Sequence, residues 1–162
     1  MELKSKKNIN VVLVEPEIPN NTGNIGRTCV ALDASLHLVG PMGFDLDEKK
    51  VRRAGLDYWP HLNLHLYKNQ KEFFSSLKPN DQLAFLTTKV DTLYYDCDFS
   101  SKDHLDLWLI FGKETKGLSP QVLEEFKDHL YTIPMIGKTR SLNLANSVAI
   151  VLYEAHRQMN HL

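Results

Sequence analysis

The chain is poor in cysteine, has no long apolar run and carries almost no net charge. Its two cysteines, Cys29 and Cys97, are too few for a disulfide framework, which favours a reducing compartment. No apolar run approaches the roughly 18 residues of a membrane helix, and the opening residues MELKSKKNIN lack the apolar region of a secretory signal. We therefore expect a cytoplasmic protein that does not enter a membrane. The net charge of -1 neither indicates nor excludes nucleic-acid binding, so an RNA-binding surface would have to be a local patch.

The composition is otherwise that of an ordinary globular protein. A chain of 162 residues, 43% of them hydrophobic and 24% charged, is long enough to bury a core. It has no internal repeat, low-complexity tract or linker, and we expect a single domain over residues 1–162. Short apolar runs alternate with helical patterns, which predicts an α/β fold with a mostly parallel sheet and helices on both faces. The predicted strands cover residues 9–14, 35–39, 62–66, 82–87, 107–111 and 129–133.

The predicted helices lie between these strands and after the last of them. Residues 19–26 are rich in turn-forming residues, and Asn21 or Thr22 is expected to cap a helix that ends near Asp33. An apolar stripe that opens at Leu142 predicts a long last helix ending near Gln158. Shorter helices are expected from residue 45 or 47 to 55, over 70–77 and over 120–127, with a loop over 90–103.

Several common site patterns fail on the residues that matter. Gly23–Gly26 lacks the third glycine of a dinucleotide fingerprint, and Gly112–Gly117 lacks the Lys-Ser/Thr pair that completes a phosphate loop. His61 and His65 are separated by a strand-like alternation with no third ligand nearby, so no metal site is predicted. Cys29 lies on the apolar side of its helix, which favours packing over a nucleophilic role.

Three glycine-bearing segments remain, and each follows a predicted strand: residues 20–27, 111–118 and 133–143. In a parallel sheet such loops gather at the carboxyl edge, where ligands bind. The third loop lies between a strand end and the start of the long helix, and both present unpaired backbone groups. Such a loop can bind a small polar ligand through its main chain.

These segments resemble those of a known family. The three signature motifs of SPOUT-class (SpoU-like) RNA 2′-O-methyltransferases are similar, in order and spacing, to PEIPNNTGNIGRTC, FGKETKGL and IPMIGKTRSLNLANSVAIVLYE. The subgroup that methylates the ribose of the wobble cytidine or uridine in tRNA resembles the chain at PMGFDLDEKKVRRAGLDYW as well. The likeness runs from about Val11 to Gln158. Asn20, Ser119 and Ala145 depart from the proline, proline and serine that are usual in the family, and none of them removes an implied contact.

The resemblance implies a deep trefoil knot at the C-terminal end, formed by the segments from about Leu83 onward with the last helix drawn through. It also implies a homodimer and the cofactor S-adenosyl-L-methionine, bound in a bent form within the knot. Matched by motif, the cofactor contacts fall on Leu86, Gly112, Ile133 and Ser141. From position alone, Leu86 and Ile133 are equally well explained as core residues, and Gly112 as a turn glycine.

The resemblance also marks candidate catalytic residues. Arg27 is the arginine of the first motif, although from position alone it is a solvated helix residue. Because arginine is a poor proton acceptor, we expect it to hold a phosphate or the ribose and to stabilise the oxygen as it loses its proton. Asn143, beside Ser141, is expected either to orient the ribose or the methionine end, or to cap the long helix. Glu114 is expected either to position the substrate or to accept hydrogen bonds from loop amides.

A basic run lies on the predicted short helix, at Lys49, Lys50, Arg52 and Arg53, and further cations lie near the proposed site, at Lys113, Lys116, Lys138 and Arg140. A charge run is usually a solvated face, but beside a ribose-methylating site it favours phosphate contact. We expect Arg52, Arg53, Lys138 and Arg140 to bind RNA. Because a monomer of this charge is poorly equipped to grip tRNA, both subunits are expected to contribute.

The sequence therefore favours an S-adenosylmethionine-dependent tRNA 2′-O-methyltransferase that acts on the anticodon loop. Its expected target is the wobble cytidine or cmnm5-uridine of leucine tRNA, as in the subgroup that it resembles. One alternative keeps the class and moves the target to another tRNA position or to ribosomal RNA. The other is a non-catalytic RNA-binding or ribosome-assembly factor, against which the intact Arg27 and cofactor loop argue.

Overall fold

The structure, a computed structural model, describes residues 7–46 and 57–159, and their strands form one six-stranded parallel sheet. The order of the strands is β3-β2-β1-β5-β4-β6. Leu13 of β1 pairs with both Leu38 of β2 and Phe111 of β5, so these central strands end level with one another. The loops that follow them therefore start from one edge of the sheet. The strands are β1 Asn8–Val14, β2 Ser35–Val39, β3 Leu64–Tyr67, β4 Gln82–Leu86, β5 Asp106–Phe111 and β6 Leu130–Tyr131.

Helices cover both faces of the sheet, as the sequence predicts. They are α1 Pro19–Ala31, α2 Gln70–Ser76, α3 Pro120–Glu125 and α4 Leu144–Gln158, with single 3-10 turns at Trp59–His61, Tyr94–Asp96 and Lys127–His129. Helices α1 and α4 pack on one face through residues such as Cys29 and Val151. Helices α2 and α3 pack on the other through Phe73 and Val122. No helix among the described residues is both long and apolar enough to cross a membrane.

Strand β1 shows why the central strands are continuous apolar runs. Val11 and Leu13 belong to the core beneath α1 and α4, whereas Val12 and Val14 belong to the core on the opposite face. A strand buried on both faces needs apolar side chains at successive positions rather than at alternate ones. The prediction that Cys29 packs in the core is confirmed, because its side chain is fully buried.

A polar side chain, that of His37, is buried in the core on the face of the sheet opposite α1 and α4. The His37 side chain is 3% exposed, with Nε2 2.9 Å from Oδ1 of Asn10 and Nδ1 3.0 Å from the hydroxyl of Tyr67. Burial, aided by the neighbouring His65, lowers the pKa of His37 from 6.5 to about 3. The ring of His65 stacks on that of His37 at a centroid distance of 4.5 Å. His65 is thus part of a packed aromatic pair, and the imidazole of His37 is neutral at ordinary pH.

The predicted start of α1 is wrong. The helix begins at Pro19 with Ile18 as its N-cap residue, and no local side chain caps it. Residues 19–26 therefore form its first two turns rather than a loop. Thr22 is a residue of the helix and is fully buried, and the side chain of Asn21 forms hydrogen bonds with residues elsewhere in the fold. Proline suits the first turn because its backbone angle is preset and its missing N–H is not needed there.

Other boundaries shift by one or two residues. Helix α4 begins at Leu144, so Leu142 precedes it. The outer strand lies at Leu64–Tyr67 and the last strand shortens to Leu130–Tyr131. The predicted loop over 90–103 contains the 3-10 turn Tyr94–Asp96. The charged helix predicted between residues 45 and 55 lies almost entirely outside the described residues.

Candidate functional site

A cleft of about 620 Å³ opens where three loops follow three neighbouring strands, β5, β4 and β6. We call it the three-loop cleft. Its volume falls within the range of about 300–1,000 Å³ that is usual for small-molecule sites. Parts of the entry to α1 and of α4 complete its wall. Its lining comprises Leu86–Lys89, Phe111–Leu118, Thr132, Ile133, Met135, Arg140–Leu144, Ile18, Asn21 and Ser147.

The structure brings together all four residues predicted to bind the cofactor. Leu86, Gly112, Ile133 and Ser141 each line the three-loop cleft, although the first and last are far apart in the chain. Arg140, predicted to bind RNA, and Asn143, predicted to be catalytic, line it as well. Of the other predicted RNA contacts, Lys138 is exposed but outside the lining, and Arg52 and Arg53 lie outside the described residues.

The loop after β5 is a tight hairpin whose shape depends on two glycines. Lys113 and Gly117 form an antiparallel bridge in which the amide of Gly117 donates to the carbonyl of Lys113 at 2.9 Å. Gly117 has a φ of 65°, a left-handed conformation that glycine adopts without strain. A Cβ on Gly112 would lie 2.1 Å from the carbonyl carbon of Gly117. The hairpin can therefore fold back on itself only because residue 112 has no side chain.

Glu114 in this hairpin holds the start of α1. Its carboxylate accepts hydrogen bonds from the amides of Glu17 at 2.8 Å and Ile18 at 3.1 Å, and from Nδ2 of Asn21 at 3.4 Å. In return, Oε1 of Glu17 accepts from the hydroxyl of Thr115 at 2.7 Å and from its amide at 3.1 Å. These two hydrogen bonds lower the pKa of Glu17. Glu114 thus accepts hydrogen bonds from backbone amides. These amides belong to the residues just before α1, which we call the α1 entry, and not to the loop that contains Glu114.

Asn143 is the N-cap of α4, which confirms one of its two predicted roles. Its Oδ1 accepts from the amides of Ala145 at 2.9 Å and Asn146 at 3.3 Å. Its Nδ2 donates to Oδ1 of Asn21 at 3.1 Å. Asn21, which is 6% exposed, therefore connects Glu114 to Asn143 and links all three motif segments. The sequence reasoning missed this role of Asn21, since a partner 122 positions away leaves no local signal.

Arg27 is exposed on α1 and is not among the described residues that line the cleft. It lies six residues after Asn21, or about 9 Å further along the helix. Its guanidinium carbon is 5.0 Å from the centre of the Tyr58 ring, a cation–π arrangement. The buried Tyr58 donates its hydroxyl to the carbonyl of Gly23 at 2.6 Å, and burial raises the pKa of Tyr58. Tyr58 is thus a supporting residue that the sequence reasoning did not single out.

Comparison with known proteins finds a matching family profile, similar sequences and similar structures. The sequence profile of the SpoU rRNA Methylase family matches residues 8–153. A candidate tRNA (cytidine(34)-2′-O)-methyltransferase of Geobacillus stearothermophilus is 45% identical over 152 residues, which are 94% of this chain and 96% of that protein. A solved structure that concerns the 2-OH methylation of C/U34 on tRNA has a TM-score of 0.89 and 39% identity, and the match covers 96% of this chain and 99% of the other.

A more distant structure was solved with a ligand. The SpoU methyltransferase AviRb from Streptomyces viridochromogenes, in complex with the cofactor AdoMet, has a TM-score of 0.82 and 27% identity. The match covers 99% of this chain and 64% of the AviRb chain. The fold described here is therefore one on which an AdoMet-bound methyltransferase is built.

Proposed function

Because it matches the family profile over residues 8–153, the chain belongs to the SpoU methylase family, and we propose that it methylates the ribose 2′-oxygen of the wobble nucleotide of tRNA with S-adenosylmethionine. The proposed target is the cytidine or cmnm5-uridine at this position in leucine tRNA. The observation that carries the proposal is the meeting of Leu86, Gly112, Ile133 and Ser141 in one cleft. The names of the 45% identical relative and of the C/U34 structure support the choice of tRNA position 34.

The residues of the three-loop cleft fit the proposed cofactor. Leu86 and Ile133 supply apolar walls suited to an adenine ring, and Gly112 allows close backbone approach. Ser141 supplies a hydroxyl for the polar methionine end. When bound there, S-adenosylmethionine would supply a methyl group on a positively charged sulfur, a group already activated for displacement. The task left to the protein is to align the ribose and to exclude water.

We assign the alignment to the network that joins the three motifs. Asn143 uses Oδ1 as a helix cap and one hydrogen of Nδ2 for Asn21, which leaves its second amide hydrogen to orient the ribose. Glu114 contributes by holding the α1 entry, and with it Asn21, against the cleft. Arg27 would bind a backbone phosphate or the ribose and stabilise negative charge that develops on the 2′-oxygen.

The position of Arg27 bears on the proposed homodimer. Since Arg27 lies outside the cleft lining, it reaches the ribose if the RNA runs along α1 or if a second copy presents it. The exposed side chain of Tyr153 (47%) supports the α4 part of a dimer surface on α1 and α4. Mixing Arg27→Ala with Gly112→Ala protein distinguishes the two routes. Recovered activity in the mixture means that Arg27 acts across the dimer.

We also propose that the C-terminal segments form the trefoil knot of the SPOUT class. The proposal is supported by hydrogen bonds among three segments beyond β4. The amide of Thr132 donates to the carbonyl of Thr92 at 2.8 Å, and the amide of Tyr94 donates to the carbonyl of Thr132 at 3.0 Å. The end of α4 returns to the same region, where Oε1 of Gln158 accepts from the amide of Phe99 at 2.9 Å.

The deciding experiment is transfer of a labelled methyl group from S-adenosylmethionine to tRNA from cells that lack the protein, followed by mapping of the modified nucleotide. We expect label at position 34, and a large loss with Arg27→Ala but not with Lys102→Gln, a control at the opposite edge of the sheet. Label at another tRNA position, or in ribosomal RNA only, would retain the chemistry and refute the target. No transfer to any RNA by folded wild-type protein would favour the binding factor.

A further inference from the structure

A second cleft of about 440 Å³ lies against the same hairpin that walls the three-loop cleft. Lys89, Lys113, Lys116, Gly117 and Leu118 line both clefts, so the hairpin and the end of the β4 loop separate them. The wall of the second cleft is completed by the end of β1 and the starts of α2 and α3. We call it the lysine cleft, defined by Lys89, Lys113 and Lys116 together with Glu15 and Gln70.

The charge of the lysine cleft is unbalanced. Its lining holds three lysines and a single carboxylate, that of Glu15, which leaves a surplus of two positive charges. Glu15 is already engaged, because Oε2 accepts from Nε2 of Gln70 at 2.8 Å and Oε1 lies 3.9 Å from Nζ of Lys113. Among the described residues, no carboxylate lies within ion-pair distance of Lys89 or Lys116.

Other carboxylates nearby belong to different surfaces. Glu17 is close enough for Lys113 and Lys116 to contribute to its lowered pKa, but it does not line the lysine cleft. Its carboxylate is occupied by Thr115, and that of Glu114 by the α1 entry. The ammonium groups of Lys89 and Lys116 are thus left for an anion from outside the chain.

We propose that the lysine cleft binds a phosphodiester of the RNA strand next to the nucleotide that enters the three-loop cleft. The inference rests on the proposed function for the identity of the anion. Lysine binds phosphate as a point charge, and each phosphate that it neutralises releases counterions. Because Lys89 and Lys116 border both clefts, a strand that places its ribose in one brings a neighbouring phosphate to the other. The lysine cleft would then set the register of the strand without reading its bases.

The test is the salt dependence of RNA binding. A fluorescent anticodon stem-loop with cytidine at the wobble position is titrated, in the presence of S-adenosylhomocysteine, with wild type and the double variant Lys89→Gln/Lys116→Gln. Loss of the one proposed single-strand phosphate contact reduces the slope of log K against log salt by about 0.7. Between about 50 and 200 mM salt, the loss of affinity should therefore be about 2.6-fold smaller for the double variant than for wild type. Lys102 is exposed just before β5, at the opposite edge of the sheet. The matched control Lys102→Gln should therefore keep the wild-type slope.

Two further measurements separate the possible outcomes. Glu15→Gln removes the opposing charge and should tighten RNA binding, provided that its melting temperature shows an intact fold. Because both lysines also border the three-loop cleft, affinity for S-adenosylhomocysteine alone is measured in the lysine variants as well. If that affinity falls while the RNA slope is unchanged, the lysines serve the small ligand and the proposal is wrong. If the slope falls as expected but no methyl group reaches the wobble position, the phosphate site stands and the proposed function fails.

Discussion

Two glycines on one hairpin allow a matched test of the three-loop cleft. In Gly112→Ala the new Cβ would lie 2.1 Å from the carbonyl carbon of Gly117 and 2.2 Å from the amide nitrogen of Leu118. Both are backbone atoms that cannot rotate away, so the hairpin itself must move. Overpacking of this kind costs typically 1–3 kcal/mol, and we expect a loss of about 3 kcal/mol in the free energy of unfolding.

Gly117→Ala is the control, because no atom beyond the adjacent residues lies within 4 Å of its added Cβ. Its cost comes only from the φ of 65°, and a left-handed alanine costs about 1 kcal/mol. Urea unfolding measures the two free energies, and calorimetric titration measures the affinity for S-adenosylhomocysteine. We expect Gly112→Ala to be the less stable variant and to lose more affinity than Gly117→Ala does. Equal stabilities and equal affinities for the two variants would refute the role assigned to the hairpin.

Three further perturbations test other parts of the structure. Asn143→Ala removes the α4 cap and should cost about 1 kcal/mol in urea unfolding, whereas an unchanged midpoint would contradict the cap. Glu114→Gln faces the amides of Glu17 and Ile18 with only one acceptor oxygen and should cost about 2 kcal/mol; a loss under about 0.5 kcal/mol would show that this contact is dispensable. His37 has a folded pKa of about 3, below its usual 6.5, so the unfolded chain takes up the proton first as the pH falls. The free energy of unfolding should therefore decrease as the pH is lowered between these two pKa values, by at most about 1.4 kcal/mol per pH unit. His37→Gln should flatten this pH dependence, which is measured by urea unfolding across the same pH range.

The layout of the sheet could be predicted because its signal is local. Strand β2 lies at Ser35–Val39, the residues predicted for a strand that stops at Gly40-Pro41. The four predicted cofactor residues converge because parallel strands place their following loops at one edge. That convergence follows from the strand-loop-helix order, whereas assigning a methyl donor to it required the resemblance to a known family.

The parts that sequence reasoning missed depend on contacts between distant segments. Helix α1 starts earlier than predicted because its entry amides are bonded by Glu114, 96 and 97 positions away, rather than by a nearby cap. The sequence predicts Asn21 or Thr22 as a local cap, but the side chain of Asn21 bonds Glu114 and Asn143 instead. Tyr58 supports Arg27 from a segment about 30 residues further along the chain, a separation at which no helical spacing applies. Local patterns contain no information on which distant groups meet.

The most direct measurement for the central claim is a crystal structure of the protein grown with S-adenosylhomocysteine. We expect the ligand to lie in the three-loop cleft, in contact with Leu86, Gly112, Ile133 and Ser141. Ligand bound elsewhere on the chain, or a cleft filled by the protein's own side chains, would contradict it.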